Sequence, residues 1–290
     1  MPHPLKFRPT TLPVAFLLTL GLSAGWTTAK AASPDSAPPE LKNTLAQIDA
    51  AANSHNVQAV MQFYGANFSN SDGLNHAGME KTLTQLWQRY PQLKYRTELK
   101  SWQNQGNGIV AETVTNITGT QPVDGRTWNF NATIRSKQRL ENQKIVNQEI
   151  LSEKTLLTSG EKPPSVDFKL PEQVRTGQEF NFDVVVKEPL KDNLLVGTAL
   201  LEQISPDKYL NSPKIQLEPL NAGGIFKVGR APNDPGKYWI SAVLVRSDGI
   251  TIVSQRLPVI AGGKNNQNPN RNRSNSPAPA RPSRPGRTSG

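Results

Sequence analysis

The sequence predicts two folded units in tandem: an α+β domain with helices covering one face of a curved antiparallel sheet, then an all-β sandwich. Three observations carry this expectation. Apolar residues recur at helical spacing early in the chain. They alternate at strand spacing from about residue 95. After a Pro-rich break at 160–164, short strand-like segments continue without a strong helix. A chain of 290 residues is long enough for two modest cores, and its 36% hydrophobic content can fill them.

The elements follow in order. Leu41, Leu45, Ile48 and Ala52 fall on one helical stripe, and Val57, Val60, Met61, Phe63 and Tyr64 form a second short helical run. Asn53 to Asn56 interrupts the two. The polar stretch NSDGLNHAG leads into a third helix over 79–90, with Met79, Leu83, Leu86, Trp87 and Tyr90 on its buried face, and Pro91 ends it. Residues 95–102, 108–118, 128–140 and 144–156 read as four strands separated by turn-forming clusters. In the third of these, Trp128, Phe130, Ala132, Ile134 and Leu140 share one face, while Thr127, Asn129, Asn131, Thr133, Arg135, Lys137 and Arg139 share the other. The fourth strand is ambiguous. Ile145, Glu149 and Leu151 have one parity, Val146, Gln148 and Ile150 the other, and a bulge would change the face.

Seven strand candidates follow, at 166–170, 179–187, 194–202, 214–217, 224–229, 236–246 and 251–260. Alternation assigns Phe180, Phe182, Val184, Val186, Tyr238, Ile240, Ala242 and Leu244 to the sandwich core, and puts Trp239 on the opposite face, against an edge or an interface. The expected boundaries are a lead-in over 32–39, a first domain over 40–159, a linker over 160–164 and the sandwich over 165–261. Residues 262–290 carry almost no apolar side chain and are expected to be a disordered basic tail.

Residues 1–31 have the pattern of a secretory signal: Lys6 and Arg8, an apolar stretch, then Ala29-Lys30-Ala31 as a small-x-small cleavage site. An exported protein in a periplasm, another extracytoplasmic lumen or the extracellular space is expected, with an uncut membrane anchor as the alternative. The absence of cysteine excludes disulfides, thiol catalysis and cysteine metal sites. The formal charge of +10 is concentrated at the ends: three basic residues lie in the signal and six in the tail, neither of which holds an acid, so the body carries only +1. That balance argues against a nucleic-acid-binding domain. The tail arginines suit contact with an envelope polymer or a membrane, or serve a spacer.

The segments LAQIDAAANSHNVQAVMQFYGANF, GMEKTLTQLWQRYPQLKY and RLENQKIVNQEILSEK resemble, in their order, the nuclear transport factor 2-like superfamily, also called SnoaL-like. The resemblance covers 40–159 and implies a cone-shaped domain with helices against a bent sheet, often around a pocket. Some members use pocket acids, tyrosines or histidines in catalysis, and others only bind ligands or partners. GIFKVGRAPNDPGKYWISAVLVRSDG resembles the late strands of bacterial immunoglobulin-like modules, which implies binding or spacing for 165–261.

Candidate pocket residues are Tyr64, Tyr95, Trp102, Glu112 and Trp128 for ligand contact, with Asp72, His76 and Glu149 as candidate acids or bases. Asp72 and His76 are four apart and could pair for proton transfer in a cleft; in NSDGLNHAG they also suit a polar turn. Two mature histidines and no HExxH pattern give no metal site, and no cofactor motif is present. Arg135, Lys137 and Arg139 form a basic row able to meet an acidic partner, and a homodimer through the first domain's sheet is a candidate assembly. The sequence thus points to an exported ligand-binding or protein-interaction adaptor, its ligand a protein or a small apolar molecule. A small-molecule isomerase or hydratase-like enzyme is the alternative.

Overall fold

The computed structural model describes residues 31–123, 125–189, 194–209, 214–220 and 223–262. The expected signal, apart from Ala31, and the expected tail beyond Gly262 lie outside the described residues.

Helix α1 (Pro39–Asn53) begins with proline, whose missing N–H would have no helical partner in the first turn. It buries Leu41, Thr44, Leu45 and Ala52. Helix α2 (Val57–Met61) is capped by the Asn56 side chain, which accepts from Ala59 N at 2.9 Å. The expected second helical run thus ends at Met61, and Tyr64–Asn70 forms strand β1 instead. Gly65 disfavours helix, and the absence of its side chain suits close strand packing: a Cβ there would lie 3.2 Å from Val146 Cγ1. Helix α3 (His76–Arg89) is capped by Asn75, which accepts from Gly78 N at 2.8 Å.

Four long strands follow: β2 (Lys94–Gln105), β3 (Gly108–Val123), β4 (Arg126–Glu141) and β5 (Lys144–Gly160). Asn142 and Gln143 both have positive φ in the two-residue β4–β5 turn, matching the twist of the hairpin they close. The C-terminal half contributes β6 (Val166–Lys169), β7 (Val174–Arg175), β8 (Glu179–Val186), β9 (Val196–Gln203), β10 (Glu218–Pro219), β11 (Gly224–Arg230), β12 (Gly236–Arg246) and β13 (Gly249–Ile260). The strand expected at 214–217 does not form; only the two residues of β10 beyond it pair.

The expected fold class requires correction. A cone-shaped domain on a curved sheet followed by its own separate sandwich is not what the chain builds. One ten-stranded sheet runs β10-β9-β12-β13-β5-β4-β3-β2, an open path spanning both halves, with β1 pairing β5 and β7 pairing β13 off that path, and β11-β8-β6 form a second sheet of three strands. The fusion occurs because β5 continues through Thr158, Ser159 and Gly160, where β13 pairs with it from Gly249↔Gly160 to Gln255↔Lys154. Gly160, at φ +105°, permits this approach: a Cβ would lie 2.5 Å from the Asp248 carbonyl oxygen.

Cross-strand partners identify the faces. Ala132 is opposite Thr155, and Thr155 is opposite Ser254, so these residues share the face that the helices cover. Leu156 and Val253 face the other way, into a core shared with Phe180, Phe182 and Val184 of the three-stranded sheet. The long sheet is therefore covered by helices on one face in its N-terminal half, and by a second sheet on the other face in its C-terminal half. Burying each of these large apolar side chains stabilises the fold by roughly 1.5–3 kcal/mol before the entropy of ordering is set against it.

Two register shifts in the β4–β5 ladder resolve the ambiguous strand. Arg135 is opposite Ser152 but Ser136 is opposite Ile150, so Leu151 bulges; Arg139 is opposite Asn147 but Leu140 is opposite Ile145, so Val146 bulges. Ile145, Gln148, Ile150 and Glu153 consequently line the spaces beneath the helices, while Glu149 is exposed.

Candidate ligand cavity

Between α1, α3 and the sheet lies a cavity of about 200 Å³. It shares Thr82, Leu86, Ile117, Ile134 and Tyr209 with an adjoining space of about 250 Å³. The walls are mainly apolar: Leu45 and Ile48 from α1, Leu83 and Leu86 from α3, Ile117 and Ile134 from the sheet. Tyr64, Trp87, Tyr95 and Tyr209 add aromatic surface.

Few polar groups enter this space. Trp87 Nε1 donates to the Tyr95 hydroxyl at 2.7 Å. Burial pushes the Tyr95 phenol up to about 12, against the opposing effect of that Trp87 bond. Burial, with a contribution from Tyr95, likewise holds the Tyr64 phenol at about 12, so both remain neutral donors at ordinary pH. Asp49 accepts from Thr97 N and Thr97 Oγ1, each at 2.6 Å, and no cation among the described residues pairs with it. Gln138 is 7% exposed; its Nε2 donates to Ser136 Oγ at 3.4 Å, and its Oε1 has no hydrogen-bond partner. A buried amide oxygen left unpaired costs about 1–3 kcal/mol, which a ligand donor would relieve.

Tyr209 comes from the C-terminal half and belongs to a buried polar cluster that fastens the halves together. Arg256, on β13, donates from Nη1 and Nη2 to the two oxygens of Asp72 at 2.8 Å each, and from Nη2 to Glu153 Oε2 at 2.9 Å. The Tyr209 hydroxyl donates to Asp72 Oδ2 at 2.5 Å, and Trp239 Nε1 donates to Glu153 Oε2 at 3.1 Å. Trp239 meets the Tyr209 ring edge-on, with centroids 4.9 Å apart. The side chains of Arg256 and Asp72 are 1% and 0% exposed. Burial alone would raise the Asp72 carboxyl, but the Arg256 guanidinium, the Tyr209 hydroxyl and the Lys237 ammonium together hold it below the ordinary carboxylate range. Burial, then Glu153 and Asp72, push the Tyr209 phenol well above its ordinary value, so it stays a donor.

Of the residues expected in a pocket, Tyr64 and Tyr95 line the cavity. Trp102 sits instead on β2 at the sheet edge, where its indole N–H reaches Ser33 O at 3.2 Å and Ser36 Oγ at 3.3 Å. Glu112 is ion-paired with Arg135. Trp128 is half-buried near the start of β4, opposite Ser159, and lines neither space. The expected acids and bases are not brought together. Asp72 is held by Arg256 and Tyr209, His76 opens α3 beside an open surface hollow, and Glu149 points outward. In the basic row, Arg135 pairs with Glu112 and Arg139 with Glu141, which leaves Lys137 without an ion pair among the described residues.

Sequence reasoning missed Asp49, Gln138, Glu153, Tyr209 and Arg256. Two had a legible signal. Ser136 and Gln138 share the parity of Ile134 and Leu140, so polar residues stand on an inward row. Asp49 lies four residues after Leu45, on the flank of the buried stripe of α1.

A family model described as a domain of unknown function, DUF8623, matches residues 161–260. No curated protein matches the chain. Among solved structures, an NTF2-like protein of unknown function from Cytophaga hutchinsonii is 14% identical, with a TM-score of 0.23 over 38% of this chain and 87% of that one. An uncharacterized cystatin fold protein from Novosphingobium aromaticivorans is 17% identical, with a TM-score of 0.28 over 39% of this chain and 98% of that one.

Proposed function

We propose that this protein is an exported binding protein whose cavity beneath α1 and α3 takes a small, mostly apolar molecule bearing a hydrogen-bond donor. The observation behind it is a largely apolar cavity lined in part by Gln138, whose buried Oε1 has no hydrogen-bond partner. Export is proposed from the signal-like pattern of residues 1–31; no helix among the described residues is long and apolar enough to cross a membrane. The C-terminal half closes the cavity through Tyr209 and serves as the platform for a partner. Phe226 and Val228 favour that second role, being 51% and 69% exposed on the edge strand β11.

Calorimetric titration with 2-phenylethanol tests the proposal. The wild type is expected to bind at one saturable site, and Ile134→Trp, which fills the wall common to both spaces, to weaken binding roughly tenfold or more while still unfolding cooperatively. Equal affinity in a folded Ile134→Trp protein would contradict the assignment.

A further inference from the structure

We infer that the molecule held in this cavity is an organic cation, a small apolar amine with Asp49 as its counter-ion; this rests on the binding function proposed above. Two acceptors in the cavity have room for a donor, one of them charged. Gln138 Oε1 is an acceptor with no donor. Each Asp49 oxygen receives one hydrogen bond from Thr97 and retains further acceptor capacity. Both call for a ligand that donates.

Charge narrows the class further. The charged residues lining the two spaces are, among the described residues, Asp49, Glu153 and Arg89. Glu153 is already engaged by Arg256 and Trp239, and Arg89 is exposed at the end of α3. Asp49 is therefore the charge in the main cavity that has no cation of its own. A carboxylate in a mostly apolar space interacts more strongly with a cation than it would in water. The rings of Tyr64, Trp87 and Tyr95 also line the cavity, and such faces attract ammonium groups. An alcohol would satisfy Gln138 but leave the charge uncompensated. A carboxylic acid would add a second negative charge beside it.

The test compares three molecules of one shape: phenethylamine, 2-phenylethanol and phenylacetate, titrated calorimetrically at pH 7. The amine is expected to bind the wild type roughly tenfold more tightly than the alcohol, as suits a charge-assisted hydrogen bond, and phenylacetate to bind most weakly. In Asp49→Asn the amine and the alcohol are expected to bind alike. Amine no tighter than alcohol in the wild type overturns the cation assignment while leaving a neutral-ligand cavity standing. Binding of none of the three overturns both. The wild-type series decides the matter even if Asp49→Asn does not fold.

Discussion

Replacing Arg256 with alanine lowers the unfolding free energy by about 3–5 kcal/mol, read from urea titrations at pH 7. The size follows from what is left behind. Asp72 and Glu153 would share a buried site without their cation, and Tyr209 would donate to an uncompensated carboxylate. The pair is also a tie between distant parts of the chain, joining the β1–α3 turn to β13. A double-mutant cycle isolates it: with Asp72→Ala already in place, Arg256→Ala is expected to cost at least about 1 kcal/mol less than it does alone. A loss below about 1 kcal/mol for Arg256→Ala by itself would show that the cluster does not hold the halves together.

Asp72→Asn preserves the shape of the side chain and removes its charge, and is expected to cost about 2–3 kcal/mol at pH 6, less than Arg256→Ala because Glu153 still faces the guanidinium. The dependence on pH has a definite sign. The folded carboxyl lies below its ordinary value of 3.8, so its contribution is complete above that value and disappears as pH falls through the folded value. The gap between wild type and Asp72→Asn should therefore be widest at pH 6 and close toward pH 2. A constant gap across that range would place the stabilisation in the shape of the turn rather than in the charge.

Much of the local structure was legible because it depends on neighbours in sequence. The stripe of α1, the alternation of β4 and the inward row of β8 all express short-range periodicity. What was not legible depends on partners far along the chain. The fusion of both halves into one sheet is decided by β13 pairing with β5, about a hundred residues away, and alternation within either strand carries no record of its neighbour. The site suffered from the bulge at Leu151. Alternation left the face of Glu149 open, and it is the register shift that turns Glu153 inward and Glu149 out. Arg256 sits on the β13 face turned away from the sandwich core, and the cover it receives there involves Tyr209 and Trp239, which lie far from it in sequence. Trp239 was expected at an edge or an interface, and it is the Glu153 bond that accounts for its outward parity.

The central claim is that the space beneath α1 and α3 is a ligand site. The most direct measurement follows the side-chain amide of Gln138 and the indole N–H of Trp87 by NMR during titration with 2-phenylethanol. The Gln138 and Trp87 signals are expected to shift together and saturate with one dissociation constant, while the indole of Trp102, outside the cavity, stays in place. Saturable binding that moves Trp102 and leaves Gln138 and Trp87 unshifted would contradict the account.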